Sequence, residues 1–224
     1  MTDDMIMDER RRLVPLALIG LLLTFGLPEL GLQKLLFADT PVGQRIGREI
    51  VWIAFGVLVL LWVTLVERLP LSSIGIRRPS WGTLGWGLAA TFALMATAML
   101  SFAVIAPALG FRQNMAATAV ITQVPLWLMI TTAFVAGISE EILYRGYAIE
   151  RLEFLTGNRW IAGLVAAAAF LILHVAWGGT QMVVVAFGTI IFVGLYLWRR
   201  DLPCVMIAHI LADMIGFTLA RMQT

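Results

Sequence analysis

The chain has 224 residues, of which 60% are hydrophobic and 13% charged, with a formal net charge of +2. A soluble domain carries about 25% charged residues. With a mean hydropathy of +0.90, the composition therefore excludes an ordinary soluble fold and implies an all-α, polytopic transmembrane bundle. At roughly 20 residues per span plus loops, about seven or eight transmembrane helices fit in one integral membrane domain over 1–224. The pI of about 9.1 does not point to nucleic acid, because the basic residues are arginines at span ends, where they act as topology signals. The expected partner is the lipid bilayer. One cysteine, Cys204, excludes an internal disulfide and a CxxC metal site; it reads as a buried small apolar residue.

The first expected span is Leu13 to Leu32, after Arg10-Arg11-Arg12. It resembles a signal peptide, but Pro28 and Glu29 end the apolar run where a small-residue cleavage site would stand, so it reads as a retained span. A polar connection, Gln33 to Glu49, leads to a second span, Ile50 to Val66, closed by Glu67-Arg68-Leu69-Pro70. The loop to Trp81 carries a tryptophan suited to the interface. A third span follows over Leu84 to Leu109, and Phe111 to Val124 reads as a loop or a short surface helix.

The fourth span starts near Pro125, a good first helical residue, and runs through Glu140 to a turn at Gly157-Asn158. The fifth is Trp160 to Trp177, whose Ala166 to Ala169 run allows close helix approach. The sixth is Met182 to Trp198 and the seventh Pro203 to Leu219. Arg10 to Arg12, Arg68, Arg77, Arg78, Arg151, Arg159, Arg199 and Arg200 fall on one side of seven spans. Lys34, Arg45, Arg48, Arg112 and Arg221 fall on the other. The excess favours a cytoplasmic N-terminus, and the expected location is a bacterial inner membrane.

Ser139-Glu140-Glu141-Ile142-Leu143-Tyr144-Arg145-Gly146 follows an apolar run long enough to enter a bilayer. Ionisable residues there are costly unless paired or facing a polar cavity, and are functional candidates by default. Glu141 and Arg145, four apart on a helix, share a face and can pair. Glu140 lies about 100° round the helix and looks elsewhere. Glu140 and His174 each stand 17 residues from Gly157, so a hairpin turning there puts both about 25 Å from the turn. His209 and Asp213 share one face of the seventh span. His209 is only six residues past Pro203, however, which makes it shallower than Glu140. A core histidine and a buried His–Asp pair that glues spans together are the plainer readings. Glutamate beside imidazoles is also equipment for activating water, with Glu140 as general base. The histidines would then hold a divalent metal or donate to an oxyanion.

Three motifs carry a family resemblance. Glu140-Glu141-Ile142-Leu143-Tyr144-Arg145 matches EExxxR, Phe170 to His174 matches FxxxH, and His209 to Asp213 matches HxxxN/D. In order and spacing the chain resembles the CPBP family of CAAX proteases and bacteriocin-processing enzymes, also called the ABI family, over a motif core of about 125–217. The Ile74 to Pro79 loop is similar as well. The resemblance implies an intramembrane endopeptidase with Glu140, His174, His209 and Asp213 at the catalytic centre. Glu141 and Arg145 become supporting residues, and Phe170 packs beside the site. It also implies either a metal-free glutamate mechanism or one divalent metal such as Zn held by His174, His209 and Glu140. The substrate would be a membrane-associated protein or peptide, prenylated or not. Asp213 departs from the Asn of the prenyl endopeptidases: Asn offers an NH2 donor, an ionised Asp none. That departure keeps open a non-catalytic immunity or scaffold protein using the same pocket. A proton-relay transporter is a third class, but no repeated pair of interrupted spans supports it.

Overall fold

The computed structural model describes residues 3–32 and 40–223. The helices run α1 Asp3–Gly26, α2 Pro41–Val66, α3 Trp81–Ala108, α4 Met115–Thr122, α5 Leu126–Thr156, α6 Arg159–His174, α7 Gly179–Arg199 and α8 Leu202–Arg221. No strand occurs among the described residues. Six helices, α2, α3 and α5 to α8, are long and apolar enough to cross a membrane, α6 with its 3₁₀ extension Val175–Trp177. The chain is an integral membrane protein. α1 stands apart because Arg10 to Arg12 occupy its first half. A 3₁₀ turn, Leu27–Leu30, follows it, so the expected first span ends earlier than Leu32. Gln33 to Asp39, with the Lys34 counted for topology, lie outside the described residues.

Helix ends follow local chemistry. Asn158 caps α6 by accepting from the N–H groups of Trp160 and Ile161 at 2.9 and 3.2 Å, after Gly157 has closed α5 at φ +69°. Ser80 and Thr83 form a capping box on α3. The largest departure is α2. Thr40 accepts from Gly43 N at 3.0 Å and Pro41 takes the first helical turn, so the helix begins nine residues before the expected Ile50. Arg45, Arg48 and Glu49, expected in a connection, are therefore helical.

α5 is the central post. Of its most apolar stretch 67% is buried, against 39% for α2 and 22–28% for the other spans. It packs on α1, α2, α6 and α8. Residues Ala136–Ala148 wind as a π-helix, a geometry that is rare and concentrated at functional sites. Gly137 admits α8: a Cβ there would lie 2.9 Å from the Ile210 backbone nitrogen.

The apparent depth mismatch of His209 is resolved by where α8 starts. Leu202 N donates to the Gly75 carbonyl at 2.9 Å, and the Leu202 side chain lies against Gly146. α8 thus begins level with Gly146, and the last turns of α5 project past it. His209, seven residues on, then lies about 10 Å from that level, the depth at which its Nδ1 meets Glu141 Oε1 at 2.7 Å. Thr83 Oγ1 also donates to Asp201 Oδ2 at 2.7 Å, tying α3 to the start of α8. Cys204 is buried as expected.

Glu67, expected at a loop, is 1% exposed. It accepts from Arg151 Nη2 at 2.7 Å, from Arg151 Nε at 3.0 Å and from the Tyr147 hydroxyl at 2.7 Å. Arg151 Nη2 donates onward to Ser73 Oγ at 3.1 Å. Arg151 is therefore a buried tie between α2 and α5, not a free topology charge. Removing one partner of a buried pair strands the other. Arg151→Gln is expected to lower stability by about 3–5 kcal/mol, measured by thermal unfolding in detergent; a wild-type melting point would contradict this.

Candidate active site

Adjacent carboxylates on the π-wound stretch of α5 look in different directions. Glu141 is fully buried, and its Oε1 receives Arg145 Nη1 at 2.9 Å and His209 Nδ1 at 2.7 Å. The Glu141–Arg145 pair expected from their spacing is present, and it reaches α8 as well. Arg145 lies under two rings, its Cζ 4.1 Å from the Phe170 centroid and 5.1 Å from that of Phe192. These faces attract the cation where Nη2 finds no hydrogen-bond acceptor among the described residues. Phe192 also stacks on His209, centroids 4.9 Å apart. Phe170 contacts Tyr144 and His174.

Glu140, 4% exposed, turns the other way. Its Oε1 accepts from Arg48 Nη2 on α2 at 3.2 Å. His174 Nδ1 is 2.8 Å from the Phe170 carbonyl. A carbonyl only accepts, so Nδ1 carries the proton and Nε2 is left for other contacts. On α8, His209 Nε2 lies 3.6 Å from Asp213 Oδ2, too long for a hydrogen bond but close enough for charge attraction.

A cavity of about 250 Å³ gathers these groups. Glu140, His174, His209, Asp213 and Phe170 line it together; Glu141 and Arg145 stand behind its wall. The rest is mostly apolar, with Phe102, Val184, Val185 and Phe217 among its walls. Arg45 and Arg48 line it too, and sequence reasoning missed them. Their signal was the Thr40-Pro41 helix start and the Arg45/Glu49 spacing of four, obscured by the polar character of 40–49. Phe192, central to the packing of Arg145 and His209, had no sequence signal at all.

Among the described residues no three His, Cys, Asp or Glu groups converge to hold an ion. The Nδ1 contacts of His209 to Glu141 and of His174 to a carbonyl leave both Nε2 atoms for other ligands, whereas Glu140 is held by a guanidinium. A Zn ion on His174, His209 and Glu140 would require Glu140 to leave that cation.

The Glu141–Arg145 pair is buried enough that each charge depends on the other. Glu141→Gln and Arg145→Met are each expected to destabilise by about 3–5 kcal/mol. The double variant should lose clearly less than the sum. A double-mutant cycle of thermal stabilities checks this, and simple additivity would contradict it.

The type II CAAX prenyl endopeptidase Rce1-like family model matches residues 122–215. That stretch runs from the end of α4 into α8 and contains Glu140, Glu141, Arg145, Phe170, His174, His209 and Asp213. No curated protein and no solved structure matches the chain. Over residues 122–215, the segment that supplies all the motif residues at the cavity, the chain is similar to the type II CAAX prenyl endopeptidase Rce1-like family.

Proposed function

We propose that this chain is an intramembrane endopeptidase that hydrolyses a peptide bond of a membrane-associated protein or peptide. The observation that carries the reading is the convergence of Glu140, His174, His209 and Asp213, from three helices, on one cavity. The match of residues 122–215 to the Rce1-like family model supports a CAAX-type membrane peptidase. The apolar body of the cavity suits an apolar or prenylated C-terminal segment.

Glu140 takes a proton from water, and the hydroxide oxygen bonds to the scissile carbonyl carbon. His174, with Nδ1–H fixed on the Phe170 carbonyl, offers Nε2 to hold that water. The oxyanion is met by His209 Nε2–H, whose ring is set by Glu141 at the other nitrogen. Asp213 balances the charge of His209, a role that needs no donor of its own, so Asp serves where the family resemblance implies Asn. The C–N bond then breaks and Glu140 returns its proton to the leaving amine. These steps call on no metal.

Glu140→Gln is expected to lower kcat by about 10²–10⁴-fold and His174→Ala by a similar factor, with both proteins melting near wild type. A peptide cleavage assay on the detergent-solubilised chain checks this; wild-type turnover in either variant would refute the roles given. The same assay with a strong chelator should lose no activity. Loss that added metal restores would replace the metal-free scheme.

A further inference from the structure

Besides its histidines, the cavity wall carries four charged side chains: Arg45, Arg48, Glu140 and Asp213. Both arginines come from the first turns of α2, the positive end of that helix dipole. Their counter-ion Glu49 is 3% exposed and sits behind them, held by Thr132 Oγ1 at 2.9 Å.

The arginine contacts are slack. Arg45 Nη1 is 3.5 Å from Glu49 Oε1, and Arg45 Nη2 is 3.3 Å from the Val120 carbonyl. Arg45 Nε has no partner among the described residues, although the residue is only 6% exposed. Arg48 reaches Glu49 at 3.2 and 3.4 Å and Glu140 at 3.2 Å. Charge-assisted pairs close to about 2.7–2.9 Å. The bracing arginines of this molecule do so, with Arg145 on Glu141 at 2.9 Å, Arg151 on Glu67 at 2.7 Å and Arg200 on Glu150 at 2.8 Å. The α2 arginines thus hold unused donor capacity at the wall of a largely apolar cavity. One of them rests on the proposed base.

We propose that Arg45 and Arg48 form an anion subsite that binds a carboxylate of the substrate, and that this carboxylate draws Arg48 away from Glu140. The proposal rests on the peptidase reading of the cavity and names what the substrate must bring to it. A planar guanidinium fork matches a carboxylate bidentately. A peptide offers that group at its C-terminus or on an Asp or Glu side chain. The carboxylate sits at the α2–α4 end of the cavity, where Gln113 and Thr118 add polar groups. Its arrival does two things: it places the peptide and it releases Glu140 to accept a proton.

Binding tests this without requiring turnover. An N-acetylated apolar tetrapeptide is titrated calorimetrically into the full chain in detergent as its free acid, as its C-terminal amide, and as an amide ending in Asp. The free acid should bind wild type about tenfold more tightly than the plain amide, the scale of one charge-assisted pair. Glu140→Gln, which removes the competing anion, should tighten the acid severalfold and leave the amide unchanged. Arg45→Gln and Arg48→Gln should erase the preference. So should Arg45→Lys, which keeps the buried charge but loses the fork and guards against misfolding as the cause. The Asp-ending amide assigns the source: binding like the acid means a side-chain carboxylate, and binding like the plain amide means the chain terminus. Equal binding of acid and amide, no binding by either, or a preference that survives both Arg→Gln changes would overturn the subsite and leave the cleavage results standing. Cleavage retained in Glu140→Gln would instead remove Glu140 as base and leave the binding ratios standing.

Discussion

A single carboxylate oxygen, Glu141 Oε1, holds the site together. It receives a guanidinium from its own helix and an imidazole from α8, both within 2.9 Å and shielded from solvent. A lone carboxylate in such surroundings costs several kcal/mol, and only opposing charge and hydrogen bonds in good geometry offset that. The cost is therefore a constraint: α8 must lie where His209 can reach, and Gly137 leaves the room for it. Phe170 and Phe192 complete the enclosure by presenting ring faces to Arg145.

The neighbouring carboxylate shows what a change of surroundings does to the same side chain. Glu141 is dry and doubly paired, and it serves position. Glu140, one residue earlier, lines the cavity and is held by one longer contact to Arg48. Two carboxylates whose environments differ this much are suited to different roles. The division follows from the winding of α5, which sends successive side chains toward α2 and toward α8.

Ion pairs recur along the same post, one buried and one half-buried. Glu67 with Arg151 fixes the end of α2 to α5, and Glu150 with Arg200 fixes the link between α7 and α8 to it. Between these pairs the packing is apolar, as interior faces in a membrane protein are, and the outward faces of α2, α3 and α6 are apolar too. A cavity with polar groups at its inner wall and apolar residues around the rest can hold water and an apolar chain together.

The sequence by itself determined what depends on a few adjacent residues. The apolar runs are long enough to name membrane spans. Gly157 and Asn158 mark a helix end and a helix start, and the spacing of Glu141 and Arg145 predicts their pairing. Glu140, Phe170, His174, His209 and Asp213 were legible as residue types in a motif order. Contacts between helices were decided only by tertiary structure. Arg48 reaches Glu140 across 92 positions of chain, and no local period announces such a partner. Arg45, Arg48 and Glu49 looked like loop charges because a polar helical turn facing a cavity has the composition of a loop. The level of His209 depended on where α8 docks against Gly75 and Gly146, a matter of packing between backbone and small residues. Capping and pairing at four residues are settled within one turn of helix; which helix faces which is settled by the burial of whole surfaces.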